Sequence, residues 1–311
     1  MSRPVLIGID WGTSSFRAFL IDEAGLVLDR IASADGILAV PAGGFEATFV
    51  RLLGPWLEAH PDLPILASGM VGSRQGWREV PYAPCPVSPA ALAAALVPLE
   101  TACGRRVHLV PGLLCRDGDG LPDVLRGEEV QILGALEQAP ASGCLCLPGT
   151  HGKWVRVRAG VVLGFATFMT GELFAVLKNH SILGRMAQGE AEDAAAFERG
   201  AAIGLVGEPG RGGTLRRLFF ARTLALSGEL APGAVASFLS GLLIGCEVRE
   251  ALSLAEPEGP VLLVGEPGLC RLWARVLERA GAPHAIAPAE LAALGQLRLA
   301  KQAGLVRDRS R

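Results

Sequence analysis

The sequence of 311 residues contains no CxxC pair, although it has seven cysteines. Their spacing is irregular, and the five histidines stand at no ligand spacing to them. A structural zinc site requires closely paired Cys or Cys/His ligands, so the pattern excludes one. The seven thiols are typical of buried free cysteines in a reducing compartment.

An excess of charge of one sign is also absent. Lys and Arg number 29, Asp and Glu number 31, and the formal net charge is −2. Such a chain has no global positive field that would attract a phosphate backbone. The balance therefore excludes nucleic acid as the main partner.

Long uninterrupted apolar runs are missing as well. The longest apolar region, 161–177, is interrupted by Gly164, Gly171 and Glu172, whereas a membrane-spanning helix needs about 20 predominantly apolar residues. No basic leader with an apolar segment and a small-residue cleavage site precedes the first strand pattern. We therefore expect a cytoplasmic protein with no membrane partner.

Two common nucleotide-binding motifs do not occur. The chain has no GxxxxGK[ST] sequence, and no GxGxxG follows a predicted strand. Their absence excludes the P-loop and the Rossmann dinucleotide site. Any phosphate site must be built from other glycine turns.

What the chain does contain is a pattern that starts twice. Strands are predicted over 4–10, 16–22 and 27–33. In the second half, residues 144–157 are predicted to form a strand, a glycine turn and a second strand, and residues 160–170 a third strand. Each set includes a Gly-Thr turn, in DWGTSS and in LPGTHGK. The length and this weak repeat predict two similar α/β domains facing each other across a cleft, with a site between the turns. We place the domains at 1–140 and 141–288, with a C-terminal helix over about 289–311 that packs back on the first.

Two helices of the first half carry local signals. A helix is predicted over 44–59 with a break at Pro55. Another is predicted over 88–98, with Ser88 as N-cap and Pro89 in its first position. A further helix begins after Gly127.

The first Gly-Thr turn supplies the groups that a phosphate site needs. Asp10 ends the strand and could hold Mg²⁺, directly or through water. Backbone N–H groups and hydroxyls of the turn would contact phosphate oxygens, and Arg17 would neutralise charge. The turn residues are Gly12, Thr13, Ser14 and Ser15. An ordinary β-turn, with the hydroxyls satisfying its own backbone, is an equally good interpretation of the spacing.

Two later turns repeat this chemistry. Gly149, Thr150, His151 and Lys153 combine glycine, hydroxyl and cation. Gly265 and Glu266 follow a buried strand and open a helix, as in a nucleotide pocket. We predict that both turns bind the cofactor, with His151 as a donor or spacer and not a base.

Longer stretches resemble a known family. They are "ASGMVGSRQGWREVPYAPCP" (67–86), "PDVLRGEEVQILGAL" (122–136), "LPGTHGKWV" (147–155) and "FMTGELFAVLKNHSIL" (168–183). With the turns, these motifs resemble the 2-dehydro-3-deoxygalactonokinase family of the actin/hexokinase/Hsp70 ATPase superfamily, from residue 5 to about 300. The sequence departs from that pattern at Gly152, where a serine is expected more often.

The resemblance implies two ribonuclease-H-like (actin-like ATPase) domains and a specific reaction. The enzyme would use ATP and Mg²⁺ to phosphorylate 2-dehydro-3-deoxy-D-galactonate to its 6-phosphate in galactonate catabolism. Its partners would be the sugar acid and ATP, and a homodimer is left open.

Phosphorylation of a sugar needs a base near the attacking hydroxyl. We predict that Glu128 or Glu129 fills this role, in a Gly-Glu-Glu helix start similar to the acid motif of exopolyphosphatases. The alternative is that these acids only stabilise the helix N-terminus electrostatically. The sequence does not choose between the two residues.

The sugar acid also needs contacts of its own. Its carboxylate requires Arg or backbone N–H groups, so Arg74 and Arg126 are candidates. Ser68, Gly69 and Met70 could place backbone donors, and Trp77 could be an apolar wall or simple packing. In the second half we predict sugar contacts from Thr170, Gly171 and Glu172, while Glu172 could merely cap its helix.

Three other functions compete with this interpretation. The chain could phosphorylate a different sugar or sugar acid with the same fold. It could be a non-catalytic ATP-binding regulator, although the retained acids Asp10, Glu128 and Glu129 weigh against that. It could also be an exopolyphosphatase-like phosphohydrolase, which would turn over ATP without sugar.

Overall fold

A computed structural model describes residues 2–136, 138, 142–187, 192–207, 212–255, 257–288 and 290–307. The chain divides into two compact units. Unit 1 contains Met1–Gln138, Arg158–Gly164 and Glu290–Arg311, and unit 2 contains Ala139–Val157 and Phe165–Ala289. Each unit is built around its own sheet.

The main sheet of unit 1 has six strands in the order β3-β2-β1-β4-β7-β6. β1, β2 and β3 form an antiparallel meander, and β4 and β7 then add in parallel to β1. The interior of β1 and β4 is buried, which explains their nearly continuous apolar sequences. The bounds are β1 Pro4–Trp11, β2 Phe16–Asp22, β3 Val27–Ser33, β4 Ile65–Gly69, β6 Val97–Glu100 and β7 Arg106–Leu109.

A second, three-stranded sheet lies in the same unit, in the order β5-β8-β9. Its strands are short: β5 Ala83–Pro84, β8 Leu113–Arg116 and β9 Pro122–Leu125. β9 leads directly to Gly127 and the helix α3. This small sheet therefore fixes where the Gly-Glu-Glu helix start begins.

The described helices of unit 1 are α1 Phe45–Ala59, α2 Pro89–Ala94, α3 Glu128–Ala135 and α10 Leu291–Gln302. The predicted break at Pro55 is wrong, because α1 continues through it. Phe49, Leu53 and Trp56 bury one face of α1 in the core, and this packing holds the helix together across the proline. The predicted cap of α2 is confirmed, since Ala91 N–H donates to Ser88 Oγ at 3.2 Å.

The C-terminal helix α10 packs tightly on α3. A Cβ atom at Gly134 would lie 2.0 Å from the Leu291 carbonyl oxygen, and one at Gly295 would lie 1.7 Å from that of Val130. These two glycines permit backbone-to-backbone contact at the helix crossing. α10 thereby fixes the helix that carries Glu128 and Glu129.

The sheet of unit 2 has the order β12-β11-β10-β13-β14. β10 and β13 are parallel, as are β13 and β14. This order repeats that of β3-β2-β1-β4-β7 in unit 1. The bounds are β10 Ser142–Leu147, β11 Gly152–Arg158, β12 Val161–Phe168, β13 Val261–Leu263 and β14 His284–Ile286.

Helices cover the rest of the described part of unit 2. They are α4 Thr170–His180, α5 Ala194–Leu205, α6 Thr214–Leu218, α7 Phe220–Leu226, α8 Val235–Ala255 and α9 Pro267–Arg279. α8 is buried along most of its length, in agreement with its weakly amphipathic sequence. Among the described residues, no helix combines the length and apolar character needed to cross a bilayer.

Candidate active site

Asp10 is the second-to-last residue of β1, and it is almost completely buried. The strand register places it opposite Arg17 on β2 and beside Ser68 on β4. The Arg17 guanidinium donates to Asp10 Oδ2, and burial outweighs this contact, so the pKa of Asp10 is raised. The acid and its cation are thus brought together at the strand end, as the sequence predicts.

The turn after Asp10 exposes its hydroxyl residues Thr13, Ser14 and Ser15. Gly12 N–H donates to the Ser15 carbonyl at 2.8 Å and closes the turn. Within the described residues, nothing accepts from the backbone N–H groups of Thr13, Ser14 or Ser15. They remain available as donors, which a phosphate site requires.

The segment after β3 packs against this turn and forms hydrogen bonds with it. A Cβ atom at Gly36 would lie 2.4 Å from both Ser14 Cα and Ser15 N, so only glycine fits. The N–H groups of Ile37 and Leu38 donate to the carbonyls of Gly12 and Thr13 at 3.0 and 3.2 Å. The turn is therefore fixed by a long-range contact that its own sequence does not contain.

The ends of β1 and β4 meet the start of α3 at two glycines. Gly69 has φ +92°, and a Cβ atom there would lie 2.8 Å from the Trp11 carbonyl and 3.2 Å from Asp10 Oδ1. Gly127, with φ +107°, would place a Cβ atom 3.4 Å from Gly69 Cα. The predicted metal acid and the Gly-Glu-Glu helix start are thus neighbours in unit 1.

The two acids of α3 differ in their surroundings. Glu128 is half-buried, and its Oε2 accepts from Arg126 N–H at 3.0 Å. Glu129 is 1 % exposed, and its Oε2 accepts from Gly127 N–H at 2.6 Å. Burial, with a smaller contribution from the Glu128 charge, raises the pKa of Glu129 to about 8. Glu129 Oε1 is buried with no hydrogen-bond partner among the described residues.

Arg126 precedes these acids and is partly buried. Its Nη2 donates to the Val80 carbonyl at 2.8 Å, and its guanidinium lies 4.4 Å from the centre of the Tyr82 ring. Nε and Nη1 are buried and have no acceptor in the described part of the chain. Two unpaired donors on one guanidinium match the oxygens of a carboxylate.

The other residues of unit 1 that are predicted to contact the sugar differ in burial and in their partners. Ser68 is fully buried, its hydroxyl donates to the Ile9 carbonyl at 3.1 Å, and it accepts from Gln296 Nε2 at 3.1 Å. Met70 is half-buried in a short 3₁₀ turn, and the Arg74 side chain is largely exposed beside Glu79. Trp77 packs against Phe49, with ring centres 5.4 Å apart. Ser68 and Trp77 thus make contacts within unit 1, and their roles toward the sugar stay predictions.

The second Gly-Thr turn joins β10 to β11 in unit 2. Thr150 and His151 are exposed, whereas Gly152 and Lys153 are buried. Lys153 Nζ donates to the His151 carbonyl at 2.8 Å. The lysine therefore lies inside the turn and shapes its backbone, in addition to supplying charge.

The start of α4 packs against this turn. A Cβ atom at Gly171 would lie 2.5 Å from the Gly149 carbonyl oxygen and 2.8 Å from Thr150 Cα. Glu172 N–H donates to the Thr150 carbonyl at 3.0 Å, and the Glu172 carboxylate contacts His151 Nε2. Residues predicted for sugar and for cofactor are thus adjacent within unit 2.

The third turn follows β13, which is parallel to β10, so both turns leave the same edge of the sheet. Gly265 has φ +141°, and a Cβ atom there would lie 3.8 Å from the Pro148 carbonyl. Glu266 is the N-cap of α9, and its carboxylate accepts from the N–H groups of Gly268 and Leu269. These hydrogen bonds lower the pKa of Glu266, which serves the helix start itself.

Two residues of the site escaped the sequence analysis. Gly36 supports the first turn, and the Asp35-Gly36 dipeptide was a turn signal that could have indicated it. Gln296 of α10 is fully buried, and its Nε2 donates to the Ile9 carbonyl at 2.8 Å beside Asp10. No local pattern could reveal that contact, because 287 positions separate the two residues.

Comparisons with known proteins agree with this chemistry. Residues 10–299 match the family model described as 2-keto-3-deoxy-galactonokinase. The chain is 38% identical to the probable 2-dehydro-3-deoxygalactonokinase DgoK1 of Rhizobium meliloti (strain 1021), over 88% of this chain and 89% of the relative. It is 33% identical to the 2-dehydro-3-deoxygalactonokinase of Escherichia coli (strain K12), over 88% and 90%.

Solved structures are similar too. A 2-dehydro-3-deoxygalactonokinase family protein from Sinorhizobium meliloti matches with a TM-score of 0.86 and 36% identity, over 95% of this chain and 98% of the other. The Clostridium difficile activator of 2-hydroxyisocaproyl-CoA dehydratase, solved with ADPNP, matches with a TM-score of 0.50 and 12% identity, over 98% and 99%, and indicates fold alone. The predicted ribonuclease-H-like, actin-like α/β fold is confirmed by the first match and by the repeated strand order.

Proposed function

The chain belongs to the 2-keto-3-deoxy-galactonokinase family and is a kinase that uses ATP, and we propose that its acceptor is 2-dehydro-3-deoxy-D-galactonate. The product would be the 6-phosphate, formed in galactonate catabolism. The roles below are assigned on the geometry of each unit.

Unit 1 supplies Asp10 and the first turn. Mg²⁺ usually keeps several waters and is bound by one or two carboxylates plus substrate phosphates. The single buried Asp10 fits that requirement, and the described residues contain no larger cluster of metal-ligating side chains. Mg²⁺ bound there would neutralise phosphate charge. The free N–H groups of Thr13, Ser14 and Ser15 would bind phosphate oxygens.

Glu129 is the better candidate for the residue that receives the hydroxyl proton. Its Oε1 has no hydrogen-bond partner among the residues that the structure describes, whereas Glu128 already accepts from Arg126 N–H. A pKa of about 8 is close to the working range of a general base. In the proposed step, the sugar oxygen bonds to the γ-phosphorus and its proton moves to Glu129, while the bond to ADP breaks.

Arg126 is proposed to bind the substrate carboxylate through Nε and Nη1. These donors are unpaired in the described structure, and a buried unpaired donor is costly unless a ligand satisfies it. A guanidinium recognises a carboxylate through two parallel hydrogen bonds. The adjacent Gly69 offers the backbone approach that the carbon chain would need.

Unit 2 is proposed to bind the nucleotide. Gly149, Thr150, His151 and Lys153 would contact phosphates, and Gly265 at the same sheet edge would allow close approach of the adenosine. Thr170, Gly171 and Glu172 are better assigned to the support of this turn than to the sugar, because Gly171 and Glu172 contact Thr150 and His151 and Thr170 directly precedes them.

The observation that carries the proposal is the juxtaposition of Asp10, Gly69 and Gly127 at the start of α3. It brings a metal acid, a phosphate turn and a candidate base into one unit, as phosphoryl transfer to a hydroxyl requires.

The test is an ADP-release assay with ATP and Mg²⁺ across four conditions. The acceptors are the galactonate-derived and gluconate-derived 2-dehydro-3-deoxy acids, a neutral hexose and no sugar. We expect turnover with the galactonate-derived acid, and a rise of about tenfold or more in its KM for Arg126→Met with little change in the KM for ATP. Preference for the hexose would overturn the substrate, and ADP release without sugar would favour the phosphohydrolase.

A further inference from the structure

Glu247 is a buried acid of unit 2 for which the proposed reaction has no role. It lies on α8, is 2 % exposed, and is surrounded by the apolar core of the unit. Its Oε1 accepts from two indole N–H groups, those of Trp154 on β11 and Trp273 on α9, each at 2.8 Å. One carboxylate oxygen therefore links α8 to both β11 and α9.

The carboxylate of Glu247 lies beside the second Gly-Thr turn. A Cβ atom at Gly152 would lie 3.7 Å from Oε2 and 3.3 Å from Oε1. The hydroxyl of Thr170, at the start of α4, is near enough to lower the pKa of this acid, which burial raises. Oε2 has no hydrogen-bond partner among the described residues.

A buried acid of this kind is costly to fold. Removing a carboxylate from water carries a penalty that two indole donors only partly offset, and apolar replacements of buried charges are often neutral or stabilising. Stability alone thus gives little reason for Glu247. Its carboxylate lies beside Gly152, the first residue of β11, and Thr170 is the first residue of α4, which packs against the turn.

We infer that Glu247 is a positioning residue for the nucleotide, which holds the turn at 149–153 through Trp154 on one side and Thr170 on the other. The inference rests on the proposed assignment of this turn to the phosphates of ATP. Trp154 directly follows Lys153, and Thr170 directly precedes Gly171, whose backbone touches Gly149 and Thr150. Glu247 thus acts on the phosphate donors through its neighbours and does not touch ATP itself.

The role predicts a selective effect on ATP. Glu247→Gln retains an oxygen for the two indoles but replaces the other with an amide. We expect the KM for ATP to rise about threefold to tenfold, which is the range of coupling between contacting residues. The KM for the sugar acid should stay unchanged. Thr170→Val should produce a rise of similar size.

A double-mutant cycle gives the decisive measurement. If Glu247 acts through Thr170, the double variant should raise the KM for ATP no more than the larger single effect. Val276→Ala is the matched control, since Val276 on α9 is buried in the same core and lies outside the turn at 149–153. This control should leave both KM values unchanged after its stability has been checked by thermal unfolding.

Two outcomes would distinguish a failure of this inference from a failure of the proposed function on which it rests. Lys153→Met changes the turn itself, so an unchanged KM for ATP in this variant would overturn the assignment of the turn to ATP. A raised value for Lys153→Met with an unchanged value for Glu247→Gln, or with additive effects in the cycle, would overturn the role of Glu247. If Glu247→Gln does not fold, an unchanged KM for ATP in Thr170→Val overturns it equally.

Discussion

The two Gly-Thr turns are built from the same strand order but obtain their charge in opposite ways. In unit 1 the acid Asp10 ends the strand and the cation Arg17 is half-exposed on the next strand. In unit 2 no acid ends β10, and the cation Lys153 is buried inside the turn. This difference supports our proposal that the first turn holds a metal ion and that the second turn contacts phosphates.

The support of the two turns is alike. Gly36 lets the segment after β3 touch the backbone of Ser14, and Gly171 lets the start of α4 touch the backbone of Thr150. In the described part of each unit, one buried acid has an oxygen without a hydrogen-bond partner, Glu129 in unit 1 and Glu247 in unit 2. Each turn is thus held by a segment from outside the turn that approaches it closely at a glycine.

The prediction with the largest expected effect tests the difference in charge between the two Gly-Thr turns. Asp10→Asn removes the metal acid while keeping the size of the side chain. We expect kcat to fall roughly 10³-fold, which is the scale of losing an electrostatic contact to the transferring group. The measurement is turnover with saturating ATP and Mg²⁺.

Asp22→Asn is the matched control for this prediction. Asp22 is a buried acid at the far end of the same hairpin, where it accepts from the N–H groups of Ala24 and Leu26. The control should retain turnover close to that of the unchanged protein. Near-normal turnover of Asp10→Asn would remove the contrast between the two turns.

The prediction with the next largest effect distinguishes the buried acid Glu129 from its neighbour Glu128 and from the buried acid Glu247. Glu129→Gln should lower kcat about 10²-fold, because a general base is lost. Glu128→Gln should have a smaller effect, and Glu247→Gln should act on the KM for ATP instead. Steady-state kinetics of the three variants over pH 6 to 9 measure this. An equal loss in Glu128→Gln and Glu129→Gln would leave the base unassigned.

Stability against pH gives an independent readout of Glu129. Its pKa is about 8 in the folded protein and 4.5 ordinarily, so the folded state binds the proton more tightly. The resulting stabilisation is complete below pH 4.5 and is lost as pH rises to about 8, at about 1.4 kcal/mol per pH unit. The free energy of unfolding of Glu129→Gln, measured in urea, should fall less over this interval. Parallel pH profiles for the two proteins would contradict the raised pKa.

A smaller effect tests the shared support. Gly36→Ala and Gly171→Ala each place a Cβ atom within 2.5 Å of backbone atoms. We expect each to destabilise its unit by about 1–3 kcal/mol and to raise the KM for ATP. Gly54→Ala is the control, since a Cβ atom there meets nothing within 4 Å and helix propensity favours alanine by about 1 kcal/mol. Urea unfolding and ATP kinetics of the three variants decide whether both turns depend on their glycine.

The sequence predicts the elements that are locally encoded. β2 and β3 match their predicted ranges, and the Ser88 cap and the Gly-Glu-Glu helix start lie where the patterns indicate. It misses β6 because Pro98 and the preceding helix signal obscure a short edge strand. Gly36 and Gln296 were out of reach, because their partners lie far away in the chain and depend on the completed fold.

The prediction with the smallest expected effect tests whether Glu247 Oε2 can accept a hydrogen bond from the second turn. A serine at 152 would set its hydroxyl near the Glu247 carboxylate, since its Cβ atom would lie 3.3 Å from Oε1 and 3.7 Å from the unpaired Oε2. Alanine adds the same crowding, 3.3 Å from Oε1, without a donor. We therefore expect Gly152→Ser to be more stable than Gly152→Ala by about 1 kcal/mol, the net value of one buried hydrogen bond. Urea unfolding compares the pair, and Glu247→Gln should abolish their difference if Oε2 is the acceptor. Equal stabilities of the two variants would mean that Oε2 is satisfied in some other way, and that Glu247 does not act on this side of the turn.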